Sequence, residues 1–345
     1  MPPLKQPGNP RFLTLAPRKA TLGGQADVMV VGGGPAGLGA ALGAAMAGAQ
    51  VILAERYGFL GGNATAALVM PLTSYHTQSP TPQPIETRLL PADHGPGEPI
   101  IAGVVRRLVE RLVRAGGAVT PSLETGYVVP FDPEVFKLVA LDLLDEAGVQ
   151  YLFHALASDV TDDGPMQGVV YETKSGPVVV RARVIVDATG DGDIAVRAGA
   201  AFEIGREQDG LAQPMTLIFR MGQFQYEAFR RYTREHPDQW RGVYGLWDLV
   251  KQAMNAGELD LPREDILLFG TPHEHEVTVN STRVVRVLGT NVWDLTYAEW
   301  AGRRRLRRFG RPRECTAAQC PRAGCSGGVV APRRRSGFPR RGAAQ

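Results

Sequence analysis

The sequence predicts an α/β chain: a parallel sheet with a β-meander, followed by a mixed α+β domain. Three observations lead there. Residues 27–55 contain a complete strand–glycine loop–helix–strand unit. Residues 149–188 alternate short apolar runs with turn residues and end on a final apolar strand. From Gln213 the texture changes to short mixed strands and helices.

The first unit opens at Asp27 with Val28-Met29-Val30-Val31 and runs into Gly32-Gly33-Gly34-Pro35-Ala36-Gly37. An alanine-rich helical stretch reaches Gly48, and a second strand, Val51-Ile52-Leu53-Ala54, ends on Glu55. Glycines at the first, third and sixth loop positions have separate tasks: a tight turn at Gly32, close approach of a pyrophosphate at Gly34, and close helix–strand packing at Gly37. Backbone N–H groups around Pro35 and Ala36, at a helix N-terminus, favour an anion there. Glu55 stands 23 residues after Gly32, where an acid can bond a ribose hydroxyl. This is a Rossmann-like dinucleotide unit. Residues 36–54 carry no charge, but four glycines and a helix–strand break fit burial against a parallel sheet better than a membrane span.

A second glycine pair, Gly61-Gly62, follows Arg56, with Asn63 and Thr65 available for hydrogen bonds. A simple NAD dehydrogenase does not need this loop. Next come a Pro-rich loop over residues 71–99, with His76 read as a surface residue, and a helix over about 101–115. Asp132-Pro133 starts another helix, as N-cap and first helical residue. A strand is expected over 149–154, and a meander over 157–160, 168–172 and 178–180, with turns at Asp162-Asp163-Gly164 and Ser175-Gly176. The return strand, 182–188, feeds Thr189-Gly190-Asp191-Gly192-Asp193. Its Gly190, Gly192, Ala195 spacing imitates a second nucleotide loop. Asp191 and Asp193 would oppose a pyrophosphate there, so the turn is read as closing over the first cofactor.

Downstream, strands are expected over 215–221, 277–280 and 283–288, helices near 225–234 and over 294–309, and a further strand or helix over 246–256. Thr296 and Glu299 stand in capping-box spacing. The organisation read from these elements is a flexible leader (1–26), a cofactor domain (27–205, with an insertion at about 66–130), an incomplete substrate domain (206–309) and a disordered tail (310–345).

The formal charge of +3 conceals two regimes. Residues 310–345 hold eight arginines and one acid, so the other 30 basic and 34 acidic residues leave the body at −4. Nucleic-acid binding is not expected of that body. The tail is two-thirds Arg, Gly, Pro and Ala and has no readable period. It is either a natural basic tail or translation in a shifted frame; the abrupt loss of pattern favours the latter. All three cysteines, Cys315, Cys320 and Cys325, lie in it without C-x-x-C pairs, so no metal is expected, and the cysteine-free body fits a reducing cytoplasm. The leader lacks the apolar core of a secretory signal.

Taken together, these segments resemble FAD-dependent oxidoreductases with a glutathione-reductase-like FAD domain, related to fumarate reductase flavoproteins and heterodisulfide reductases. The resemblance rests on residues 27–37, Glu55-Arg56, Gly61-Gly62, Phe131-Asp132-Pro133, residues 186–193, Gln213-Pro214-Met215-Thr216, residues 279–283 and 293–296. It implies FAD in an extended pose. Gly32, Gly34 and Gly37 would take the pyrophosphate and Glu55 the ribose. Backbone near Ala157 would meet the adenine, residues 61–65 would lie by the isoalloxazine, and Thr189-Gly190-Asp191 would close over the cofactor. Some relatives carry 4Fe-4S clusters, for which no cysteine set exists here. Relatives finish the flavin site with a C-terminal segment that the arginine-rich tail replaces.

The expected activity is hydride transfer between a small organic substrate and flavin N5, with an electron acceptor that the residues do not specify. In the outer domain, His273 and His275 would share one side of an extended segment. His275 is a candidate base, and Arg283 a candidate partner for a substrate carboxylate. An NAD-dependent dehydrogenase and an inactive, flavin-free remnant are the alternatives.

Overall fold

The computed structural model describes residues 3–73, 89, 100–122, 125, 128–161 and 167–309. His76, the Asp162-Asp163-Gly164 turn, most of the Pro-rich loop and the tail with its cysteines lie outside the described residues.

The first sheet is built from β1 (Thr21–Val31), β2 (Val51–Ala54), β3 (Gln150–Leu152), β4 (Leu156–Thr161), β5 (Gln167–Thr173) and β6 (Gly176–Asp187), in the order β3-β2-β1-β6-β5-β4. Its β3-β2-β1-β6 half is parallel, and β6-β5-β4 forms the antiparallel meander. Helices α1 (Pro35–Met46), α2 (Val104–Arg114) and α3 (Pro133–Glu146) contribute to one core with Leu53, Phe131 and Leu143. A second core gathers Met29, Val31, Tyr171 and Val180. Alternate residues of β1 therefore serve different cores, which explains its continuous apolar run. Each fully buried side chain such as Leu53 contributes roughly 1.5–3 kcal/mol over exposure.

Two expectations about this sheet change. β1 begins at Thr21, inside the expected leader, because residues 21–26 pair with residues 178–182 of β6. The register shifts between Leu22 and Gly24, and a Cβ on Gly23 would lie 2.4 Å from the Val178 side chain. The glycines that depress local strand propensity are what admit the bulge. The runs 178–180 and 182–188 also form one strand, since β6 pairs with β5 on one edge and β1 on the other.

The second unit is an antiparallel sheet of β7 (Phe219–Met221), β8 (Trp240–Arg241), β9 (Tyr244–Gly245), β10 (Ile266–Gly270) and β11 (Val277–Val279), ordered β7-β11-β10-β9-β8. After the short α4 (Asp193–Arg197), helices α5 (Tyr226–Glu235), α6 (Trp247–Asn255) and α7 (Val292–Phe309) complete the described α-helices. The strands expected over 215–221 and 283–288 meet only at a single Met215–Val284 bridge. The Thr282 hydroxyl accepts from Leu217 N–H at 2.9 Å and donates to Leu217 C=O at 3.0 Å, replacing a ladder. The expected capping box in α7 does not form. Asn291 Oδ1 accepts from the N–H groups of Trp293 and Asp294, and Thr296 bonds back to Val292 C=O. Among the described residues no helix is long and apolar enough to cross a membrane.

Candidate active-site cleft

The glycine loop divides its work by position. Gly32 has φ +103°, and a Cβ there would sit 2.4 Å from Ala188 C=O. A Cβ on Gly37 would lie 1.8 Å from Gly32 C=O, so the first turn of α1 rests on the loop backbone. Gly34 differs: its nearest neighbour is the Gly62 Cα, 3.8 Å from an added Cβ. The side-chain space at Gly34 is open while the backbone is held, as a ligand-facing glycine requires. The α1 N-terminus that follows has no acid in its first turn.

Glu55 is buried at the end of β2, and its two oxygens accept from Gly33 N–H at 2.7 Å and Tyr57 N–H at 2.9 Å. It thereby ties the first glycine loop to the second strand and keeps acceptor capacity in its remaining lone pairs. The second glycine loop docks on the first through Gly61 N–H to Gly33 C=O, 2.8 Å. Gly61 and Gly62 both take positive φ, +108° and +48°. Thr65 donates to Leu60 C=O at 2.7 Å and is buried, so its hydroxyl is used inside the loop.

The return turn is organised by Asp187, at the end of β6. One oxygen accepts from the N–H and hydroxyl of Thr189, and the other from the N–H groups of Ile194 and Ala195, at 2.7–2.9 Å. Burial pushes this carboxyl up, but these hydrogen bonds outweigh it and hold the group below the ordinary carboxylate range. Behind it the Tyr171 hydroxyl is buried without a hydrogen-bond partner among the described residues. Burial, aided by the Asp187 charge, pushes that phenol far above its ordinary range.

These loops open on one cleft of about 860 Å³. Of the residues singled out from the sequence, Gly32, Gly34, Pro35, Ala36, Glu55, Arg56, Gly62, Asn63, Ala157, Thr189, Gly190 and Asp191 line it. Gly37, Gly61 and Thr65 stand behind the lining and shape it. The opposite wall comes from the second unit: Met215, Thr216, Leu217, Ile218, Val284, Leu295, Ala298 and Glu299.

His275 and Arg283 are not brought to the cleft. Residues 272–275 form a turn, not the expected extended segment, and His275 has φ +58°. The two histidines therefore do not share a side. The His275 ring contacts Phe224 C=O at 3.2 Å, and His273 reaches Asp132 at 2.6 Å. Asp132 also caps α3 and lies 3.6 Å from Arg220, which reaches Glu276 at 3.5 Å. Burial raises the Asp132 carboxyl, but His273 and the cap hydrogen bonds bring it below the ordinary range. Arg283 contributes its backbone carbonyl to Arg305. No group of three or more potential metal ligands occurs among the described residues.

A model of FAD dependent oxidoreductases matches residues 27–327, most of the chain and both walls of the cleft. The chain belongs to the FAD dependent oxidoreductase family. Its cofactor is FAD. The chain is also 32% identical to thiamine thiazole synthase of Aeropyrum pernix over 174 residues, 50% of this chain and 57% of that protein. The match thus spans little more than half the length of that relative. Among solved structures, a geranylgeranyl bacteriochlorophyll reductase-like protein of Thermoplasma acidophilum is 16% identical, with 75% of this chain and 57% of that one covered and a TM-score of 0.40. The p-nitrophenol 4-monooxygenase of Pseudomonas putida is 15% identical, with 83% and 62% covered and a TM-score of 0.41.

For an FAD dependent oxidoreductase the residues present fit the cofactor. An open glycine position sits at a helix N-terminus, a buried acid stands beside it, and the cleft volume lies within the range of small-molecule and cofactor sites. Of the opposite wall, Met215, Thr216 and Leu295 fall in segments that carry the resemblance, but their place on the cleft is not foreseen from the sequence, and Leu217, Ile218, Val284 and Ala298 are ordinary apolar residues of no motif. Asp187 is foreseen only as part of a motif; an acid closing an apolar strand before Thr-Gly is the available signal.

Proposed function

We propose that this cleft holds FAD in an extended pose and that the chain transfers a hydride between a small organic substrate and flavin N5. Gly32, Gly34, Pro35 and Ala36 would hold the pyrophosphate against the α1 N-terminus, and Glu55 with Arg56 the adenosine ribose. Ala157 would meet the adenine. Gly62, Asn63 and the Thr189-Gly190-Asp191 turn would line the ribityl and flavin end. Bound FAD supplies an acceptor for a hydride, that is, for a proton together with two electrons.

The chain's own contribution is orientation and charge. Asp187 fixes the return turn so that Thr189 to Asp191 face the glycine loop. The opposite wall excludes water from the flavin end. Asp191 and Glu299 are lining carboxylates on that side able to take a proton from the substrate. The observation that carries this reading is the single cleft shared by both glycine loops and the return turn. A cytoplasmic setting agrees with the absence of cysteine before Cys315.

Reconstitution tests it. Added FAD should lose fluorescence on binding and leave a yellow protein after desalting, and NAD should not compete. Tight NAD binding without FAD uptake would overturn the assignment in favour of a nicotinamide-dependent dehydrogenase.

A further inference from the structure

The two walls of the cleft differ in chemistry. The wall from the second unit is apolar at Met215, Leu217, Ile218, Val284, Leu295 and Ala298. Among the described lining residues the one cation is Arg56, on the near wall beside Glu55, with its guanidinium 5.0 Å from the Tyr57 ring. The lining carboxylates are Glu55, Asp191, Asp193 and Glu299. Arg197 and Arg303, which pair with Asp193 and Glu299, do not line the cleft. Nor does Arg283.

A carboxylate or phosphate pressed against this wall would lose its water and gain no countercharge from the described residues. It would also face the lining acids and the negative pyrophosphate of a bound dinucleotide. A hydrocarbon face loses nothing on the same surface and gains from removal of apolar area from water.

We propose that the substrate meeting this wall is an uncharged, apolar organic molecule, held by its hydrocarbon face and not through an anionic group. The inference rests on the reading of the cleft as an FAD-bearing active site for the reaction performed there; the recognition itself belongs to the wall.

The test is equilibrium binding of two matched probes, benzyl alcohol and benzoate, to the full chain, first as purified and then after FAD addition. Benzyl alcohol should bind at least tenfold more tightly than benzoate in both. Leu295 is 41% exposed on α7 and lines the cleft, so Leu295→Lys can place a cation there without burying it. That variant should tighten benzoate at least tenfold, and Leu295→Gln should not. Benzoate binding as tightly as benzyl alcohol, no benzyl alcohol binding, or an inert Leu295→Lys would each overturn the inference. Failure to take up FAD would sink the proposed function and leave the probe ranking to be read on its own. FAD uptake with a preference for benzoate would remove only the substrate class.

Discussion

A Cβ placed on Gly62 would sit 2.8 Å from the Cα of Gly34, so the two glycine loops meet backbone to backbone. The contact is asymmetric, because a Cβ on Gly34 finds nothing nearer than 3.8 Å. Gly34 is also in an extended conformation open to any residue, with φ −71°. Gly34→Ala should therefore cost no more than about 1 kcal/mol of stability, as expected for alanine at an N-cap, yet weaken FAD binding at least tenfold. Gly37→Ala, driven against Gly32 C=O, should cost roughly 3 kcal/mol or more. Urea unfolding and FAD titration of both variants decide it. Unchanged FAD affinity in Gly34→Ala would show that the cofactor does not approach there.

Asp187→Asn should lower stability by about 2 kcal/mol, since an amide cannot accept from both sets of donors and turns an N–H toward one of them. Its pH dependence has a definite sign. The folded carboxyl is held below its unfolded value, so the stabilisation is complete above about pH 4 and is lost as pH falls through the folded value. The wild-type and Asp187→Asn unfolding curves should therefore differ at pH 7, begin to approach each other only below about pH 4, and converge as pH falls through the folded value. A gap that persists in acid would mean that the charge is not what organises the turn.

Asp132 and His273 join the α3 N-terminus to the second unit. A double-mutant cycle with Asp132→Asn and His273→Ala should give a coupling of about 0.5–2 kcal/mol. The asparagine still caps the helix, so the cycle reports the cross-unit bond. Additive losses would show that the two side chains stabilise their own segments independently.

Arg283→Lys should leave FAD uptake and turnover within twofold of wild type, because the guanidinium does not line the cleft. Thr282→Val, by contrast, removes both bonds to Leu217 and should raise KM by loosening the apolar wall. A large kcat loss in Arg283→Lys, measured under saturating substrate, would bring that residue back into the chemistry.

The legible parts of this fold are those whose cause is local. Gly32, Gly34, Gly37 and Glu55 announce a β-α-β unit because turn, packing and acid all fall within thirty residues. Asp132-Pro133 announces a helix start for the same reason, and Asp132 does accept from the N–H groups of Glu134 and Val135. What could not be read depends on distant partners. Thr21 to Gly24 look like leader until Val178 to Val180 are laid beside them. Residues 283–288 look like a strand until Thr282 spends its hydroxyl on Leu217. His273 and His275 look paired until the turn at φ +58° separates them. The hydroxyls of Ser281 and Thr282, just before Arg283, serve backbone groups of Leu267 and Leu217, partners that lie far off in sequence.

The parallel pairing of β1 with β6 has a consequence during synthesis. Gly32 leaves the ribosome early, but the Ala188 carbonyl against which it turns is made long afterwards. At typical elongation rates the delay is on the order of ten to thirty seconds. Over that interval the apolar β1 and β2 have no partner on the β6 side, and the nascent chain presents an open strand edge. FAD offered to an emerging chain should therefore bind only after residue 190 has cleared the exit tunnel, and arrested chains shorter than this should depend on chaperones to stay unaggregated.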